Sequence, residues 1–293
     1  MDWVLRQHPE IWMPPVKELN FFFDHFNALA KGDHRRYFCS DPALRARWRR
    51  LLRTELKRAV RYPTPQNVEW ALRFLFEKQS MKHYEGMFFP AKGRICGEIS
   101  PNYCMLSSES TAAIGRAFPE LRAILLIRNP VERAWSHCKM ELATRVGRSM
   151  SDVPAAEIEK FLLRDSEVTA RGNYLKIIGN WSGTFGENRL FVGFFDDIAA
   201  DPVSFSGRVF NFVGVSPDVG QSINVREVIF PGPTDRLPSE LRERLADRYS
   251  SDIETLCDRF GRRDLIDQWL RPNDHRLPAA GVPQLQSERP AGA

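Results

Sequence analysis

No run of about 18 apolar residues occurs in the 293-residue chain, so no transmembrane helix is expected. The opening residues MDWVLRQHPE hold no apolar core of the kind a secretory signal carries. Cysteine is scarce and unpatterned. Its five copies, at positions 39, 96, 104, 138 and 257, include no CxxC pair and have no histidine nearby at ligand spacing. That excludes a disulfide framework and a structural zinc site, and points to reduced thiols in a cytoplasm. No internal repeat and no nucleic-acid reader motif is present, so binding to DNA or RNA is not expected. A Gly-rich phosphate loop and a magnesium-binding carboxylate pair are also absent, which argues against a kinase. The charge excess is mild: 42 Lys and Arg against 37 Asp and Glu give +5, which suits an anionic ligand without demanding one.

What the chain does have is the material of a packed core, with 43% hydrophobic and 27% charged residues. Three short apolar runs bounded by breakers read as buried parallel-type strands: RICGEIS (94–100), RAILLIRN (122–129) and RLFVGFF (189–195). Helical periodicity marks 41–60, 67–82, 130–144, 154–164, 202–213 and 239–260, the last stopped by Gly261. Strands alternating with helices predict an α/β fold, a parallel sheet flanked by helices, in a single domain over residues 1–270. The Pro-, Gly- and Gln-rich residues 271–293 read as a disordered tail. Helix 41–60 sets Leu44, Trp48, Leu51, Leu52 and Leu56 on one side and carries Arg45, Arg47, Arg49, Arg50, Arg53, Lys57 and Arg58. A solvated face is the ordinary reading of such a run, and a funnel for an anionic substrate is the sharper one.

The segment ILLIRNPVERAWSHC (124–138) carries the most chemistry. Asn129 and Pro130 form a favoured cap and first turn, so a helix starts directly after Arg128. At about 100° per residue, Val131, Ala134, Trp135, Cys138 and Leu142 fall on one core-facing stripe. Ser136 points away from that stripe and lies about 9 Å along the helix from Pro130. Arg128 emerges at the carboxyl end of its strand, where open α/β sheets bind ligands. Arg128 and Ser136 are therefore placed to hold one anion along the helix flank. The competing reading pairs Arg128 with a structural carboxylate and leaves Ser136 to solvent, and geometry alone does not choose.

RNPVERAWS resembles the 3′-phosphate-binding motif of sulfotransferases that use 3′-phosphoadenosine 5′-phosphosulfate (PAPS), in which a Ser follows the Arg by eight residues. Three more segments resemble the same family in the same order. They are HPEIWMPPVKELNFFFDHF (8–26), GEISPNYC (97–104), and RGNYLKIIGNW with RLFVGFFDDIAADP (171–181 and 189–202). The likeness runs through GRRDLIDQWL to residue 270 and looks strongest toward bacterial members of the heparan-type carbohydrate branch.

The resemblance implies a P-loop-nucleotide-kinase-like fold, PAPS as co-substrate, no metal, and transfer of a sulfuryl group to a hydroxyl or amine, most naturally on a carbohydrate. It makes Arg128 and Ser136 the donor-binding residues and Glu18, in KELNFFF, the base that takes the acceptor's proton. Desolvation beside Phe21, Phe22 and Phe23 would suit Glu18 to that role. The alternative is an ion pair of Glu18 with Lys17 or with the basic helix, and His25 is the second candidate for the base. Lys17, Asn20, Glu98, Ser100 and Tyr103 are candidates for the substrate region. A Lys often follows the Glu of the GEISPNYC segment in the heparan branch, and here Ile99 stands there. The family also begins with a strand and a Lys-x-Gly-Thr-Thr-like loop that cradles the 5′-phosphosulfate. No such loop occurs in these 293 residues. A segment upstream of Met1 is the expected explanation; the other is a degenerate, non-catalytic protein that binds a nucleotide or polyanion.

Overall fold

The computed structural model describes residues 1–31, 42–221, 223–225 and 235–271. The chain divides into two compact units, Met1–Arg236 and Leu237–Ala293. In the first, α1 (Asp2–Gln7) and β1 (Ile11–Trp12) precede α2 (Phe21–Lys31), α3 (Pro42–Arg61), α4 (Pro65–Phe76) and α5 (Met81–Gly86). Next come β2 (Ile95–Cys96), a 3₁₀ turn over Pro101–Met105, α6 (Ser108–Ala117), β3 (Ala123–Ile127) and α7 (Pro130–Leu142). Helices α8 (Ala155–Arg164), α9 (Ser166–Gly172) and α10 (Tyr174–Phe185) lead to β4 (Leu190–Phe194), α11 (Phe195–Ala200) and α12 (Pro202–Val213). The second unit holds α13 (Ser239–Arg259) and α14 (Asp264–Leu270), which pack together, with Gly261 taking φ 64° just past the end of α13. The expected tail lies outside the described residues from 272 onward.

All pairing among the described strands is parallel, as expected of alternating strands and helices. It comes as two separate pairs, β1 with β2 and β3 with β4, the latter in register from Ala123 opposite Leu190 to Ile127 opposite Phe194. Fully buried strands were expected at 94–100 and 122–129. The structure differs: in β3 only Ile127 is fully buried and Leu126 is 36% exposed, while Ile95 of β2 is 43% exposed. Each of these strands has one partner strand among the described residues, so among them one edge of each stays unpaired. β4 is better covered, because α12 lies against it. Gly193 is what permits that approach: a Cβ there would sit 2.6 Å from the ring of Phe205, a residue 1% exposed. Gly193→Ala is therefore expected to destabilise the protein by about 1–3 kcal/mol through overpacking, read as a lower urea midpoint at unchanged slope.

Around β1 lies a core of Val4, Leu5, Ile11, Met13, Phe205, Val209, Phe210 and Val215. His8 anchors this region from inside. Its Nδ1 accepts from the Glu10 amide at 3.1 Å, so Nε2 carries the proton and donates to the Ser216 carbonyl at 2.9 Å.

Helix α3 matches its expected span, but the described part of its stripe is not buried. Leu51 and Leu52 are half-buried and Leu56 is exposed; the Leu44 and Trp48 side chains lie outside the described residues. Arg49, Arg50, Arg53 and Lys57 face solvent, and the buried Glu55 is held by Arg58 at 2.8 Å. The helix expected over 67–82 is two helices. Thr64 caps α4 and Ser80 caps α5, each hydroxyl accepting an amide three residues on, so a new helix begins where the first has frayed.

Candidate active site

The segment that leads into α2 turns sharply. Glu18 and Asn20 both sit in the left-handed region, at φ 59° and 53°, on either side of Leu19. Such a conformation costs of order 1–3 kcal/mol for a residue other than glycine. Asn20 is buried, donates from Nδ2 to the Glu18 carbonyl at 3.2 Å, and leaves Oδ1 buried without a partner. The reversal of direction sends Leu19, Phe21 and Phe22 inward and Lys17 and Glu18 outward. Phe22 packs on Tyr84, Tyr103 and Phe118 at ring distances of 4.6, 5.3 and 5.8 Å, and Phe21 stacks on Tyr84 and His25. Glu18 is thus not desolvated by the phenylalanines that follow it, contrary to expectation; its side chain is exposed. His25, the second candidate for the base, lies in this stack beside the turn.

The carboxylate that organises this region is the half-buried Glu98. Its Oε2 accepts from the Leu19 amide at 3.1 Å and from Ser100 Oγ at 2.6 Å. Its Oε1 accepts from Tyr84 at 3.3 Å and from the Tyr103 hydroxyl. Two of these donors reach further: Ser100 Oγ accepts the Asn20 amide at 2.9 Å, and the Tyr103 hydroxyl accepts the Phe22 amide at 3.3 Å. Burial pushes the Glu98 carboxyl above its usual range, and the hydrogen bonds from Ser100, Tyr103, Tyr84 and Leu19 pull it part of the way back. Burial, then the negative charge of Glu98, holds the Tyr84 and Tyr103 hydroxyls well above their ordinary value.

Glu98, Ser100 and Tyr103 were expected at a ligand-facing strand end. Their polar atoms are instead engaged with one another and with the backbone of 19–22. The strand stops at Cys96, and beyond it alternate residues part company. Glu98 and Ser100 point to the turn, while Ile99 packs on the core around β1.

Arg128 follows β3 directly, and Asn129 caps α7 by accepting the Val131 amide at 2.9 Å. Val131, Ala134, Trp135 and Cys138 are buried as the periodicity predicts, and Leu142 is half-buried. Ser136 lies off that stripe, half-buried. Among the described residues neither the Arg128 guanidinium nor the Ser136 hydroxyl has a hydrogen-bond or ion-pair partner. Burial lowers the Arg128 pKa and the like charge of Arg133 adds to this, against the pull of Tyr174 and Glu132. A guanidinium left this way favours any anion that can reach it.

Two further arginines, not singled out in the sequence, stand close by. Arg133 donates to the Val168 carbonyl at 2.6 Å and has its Nε buried without a partner. Arg171, on α9, pairs with Glu167, donates to Asn102 Oδ1, and approaches Cys104 Sγ at 3.8 Å. Burial lowers the His137 pKa, with Arg171 and Arg133 adding to the effect. The 3₁₀ turn over Pro101–Met105 therefore joins both halves of the site. It packs on α2 through Tyr103 and on α9 through Asn102, and α9 packs on α7. The signal for Arg171 was its place in RGNYLKIIGNW, but nothing in spacing alone shows that α9 meets α7.

A model of the sulfotransferase family matches residues 1–218, about three quarters of the chain. The chain belongs to the sulfotransferase family. Membership makes it a transferase, and the family's chemistry is sulfuryl transfer. A solved sulfotransferase from Alicyclobacillus acidocaldarius shares its fold, with a TM-score of 0.61 over 92% of each chain at 22% identity. No curated protein matches the sequence. For this sulfotransferase the α/β reading of the sequence holds. Among its described residues no helix is long and apolar enough to cross a membrane, and Cys96, Cys104, Cys138 and Cys257 form no disulfide.

Proposed function

We propose that this sulfotransferase moves the sulfuryl group of PAPS to a hydroxyl or amine of a carbohydrate acceptor, with Arg128 and Ser136 holding the donor's 3′-phosphate and Glu18 taking the acceptor's proton. The observation that carries the reading is Arg128, a largely desolvated guanidinium at a strand's carboxyl end with no carboxylate partner among the described residues. A 3′-phosphate supplies the missing charge, and the Ser136 hydroxyl donates to a second oxygen. Arg133, which donates to the neutral Val168 carbonyl, adds positive charge beside Arg128. In the transfer the acceptor oxygen bonds to sulfur as the bond from sulfur to the 5′-phosphate oxygen breaks. The electron pair leaves with the bisphosphate and the acceptor's proton passes to the Glu18 carboxylate. Charge stays on oxygens throughout, so positioning and fixed positive charge supply most of the rate. The exposure of Glu18 fits a base that must meet an acceptor arriving from solvent.

The test joins a transfer assay using ³⁵S-labelled donor and a panel of oligosaccharides with calorimetric titration by adenosine 3′,5′-bisphosphate. Binding of the bisphosphate with label appearing on an oligosaccharide is the expected result. Absence of nucleotide binding sinks the reading, and binding without transfer to any acceptor favours the non-catalytic one. Ser136→Ala is expected to weaken bisphosphate binding about tenfold, the loss of one hydrogen bond to a charged group, with no change in the thermal midpoint.

A further inference from the structure

We propose that Glu98 is a positioning residue for catalysis: from behind the turn it fixes three consecutive-to-near amides, those of Leu19, Asn20 and Phe22, and so holds Glu18 in the conformation that presents its carboxylate to the acceptor. The proposal rests on the assignment of Glu18 as the proton acceptor and adds how that carboxylate is aimed.

Four observations converge on it. Glu18 and Asn20 are left-handed, so the turn does not hold itself and relaxes unless something over-determines it. Asn20 cannot hold the amides of the turn: its side chain ties only the Glu18 carbonyl, at 3.2 Å, and its Oδ1 is buried and unpartnered. Glu98 can: it accepts the Leu19 amide directly, the Asn20 amide through Ser100, and the Phe22 amide through Tyr103. Its two oxygens serve four donors and no cation, which only an acceptor-only group such as a carboxylate can do at both oxygens. Glu98 is half-buried and both of its carboxylate oxygens are taken up by donors from Leu19, Ser100, Tyr84 and Tyr103, so neither is left for a substrate. A group that grips the residues beside an exposed carboxylate, with both of its own oxygens engaged inside the protein, acts through that carboxylate.

The experiment compares wild type, Glu98→Ala, Glu98→Gln and Ser100→Ala in the full chain. Amide hydrogen exchange is followed over residues 17–23, alongside steady-state transfer kinetics and bisphosphate titration. In Glu98→Ala those amides are expected to exchange at least about tenfold faster, and kcat to fall about 30- to 100-fold, since a misaimed reacting group costs on that scale. Acceptor KM and bisphosphate Kd are expected to stay within about twofold, because Arg128 and Ser136 are untouched. Glu98→Gln keeps a carbonyl for Leu19 and Ser100, while the tyrosine hydroxyls can turn to accept from its amide, so it is expected to keep slow exchange and at least about a third of kcat. Ser100→Ala, the milder change should Glu98→Ala not fold, frees only the Asn20 amide and is expected to give a smaller shift in both readouts. Wild-type exchange in both Glu98→Ala and Ser100→Ala overturns the proposal. So does fast exchange with unchanged kcat, which would make the hold purely structural. Glu98→Gln as inactive as Glu98→Ala, with its amides still protected, also overturns it, because Glu98 would then be exchanging the proton itself. Wild type without any transfer, beside fast exchange in Glu98→Ala, refutes the reaction and leaves the hold on the turn standing.

Discussion

Arg128→Ala is expected to weaken binding of adenosine 3′,5′-bisphosphate by about 100-fold or more while leaving the protein as stable as wild type. The first half follows from the loss of a desolvated charge that meets a phosphate directly, an interaction worth about 2–5 kcal/mol when one partner is truncated. The second half separates the two readings of Arg128 that the sequence leaves open. If the guanidinium were one member of a structural ion pair, its removal would strand a buried carboxylate and cost about 3–5 kcal/mol of stability. Among the described residues it has no such carboxylate, and burial lowers its pKa. Removing it relieves a half-buried charge that has no carboxylate partner among the described residues, so the thermal midpoint should hold or rise. Arg128→Lys is expected to fall between the two in affinity, because a point charge replaces a planar fork. Calorimetry with the bisphosphate and a thermal melt on the same samples check both halves. Wild-type affinity, or a midpoint drop of many degrees, would reject the anion-site reading.

The part of the site that the sequence showed is the part built by local rules. Asn129 and Pro130 start α7, and a 3.6-residue period then fixes where Val131, Ala134, Trp135 and Cys138 go, leaving Ser136 off the stripe. Those facts need no distant partner. Glu98 is the opposite case. Its environment is made by Leu19 and Asn20, some 80 residues away in sequence, and no periodicity carries that information. The same holds for Arg171, which meets Asn102 across 69 residues. Glu18 misled for a local reason: proximity to Phe21, Phe22 and Phe23 in sequence suggested a shared apolar environment. Two left-handed residues at 18 and 20 turn the carboxylate outward and the rings inward. The strands were located but their burial was not, since a run such as AILLI reads the same whether one edge or two are covered.

Glu18→Gln is expected to lower kcat by about 10²–10⁴, the usual contribution of a placed general base, with bisphosphate affinity and the thermal midpoint unchanged. The size of the effect comes from chemistry and its selectivity from geometry. Glutamine keeps the volume of the side chain and leaves the backbone donors of the turn as they are, so the grip of Glu98 on Leu19 and of Ser100 on Asn20 persists. It cannot take a proton, so only the step that needs one suffers. An interaction made in the transition state alone lowers kcat and kcat/KM together, and KM for the acceptor should therefore move little. The double variant Glu18→Gln with Glu98→Ala gives the sharper check. If Glu98 works only by aiming Glu18, then once the base is gone its removal should cost almost nothing further, and the two losses should be far from additive. Additive losses would mean that the two carboxylates act independently. A Glu18→Gln protein with near-wild-type kcat would instead move the base elsewhere, with His25, stacked on Phe21 beside the same turn, the first residue to replace next.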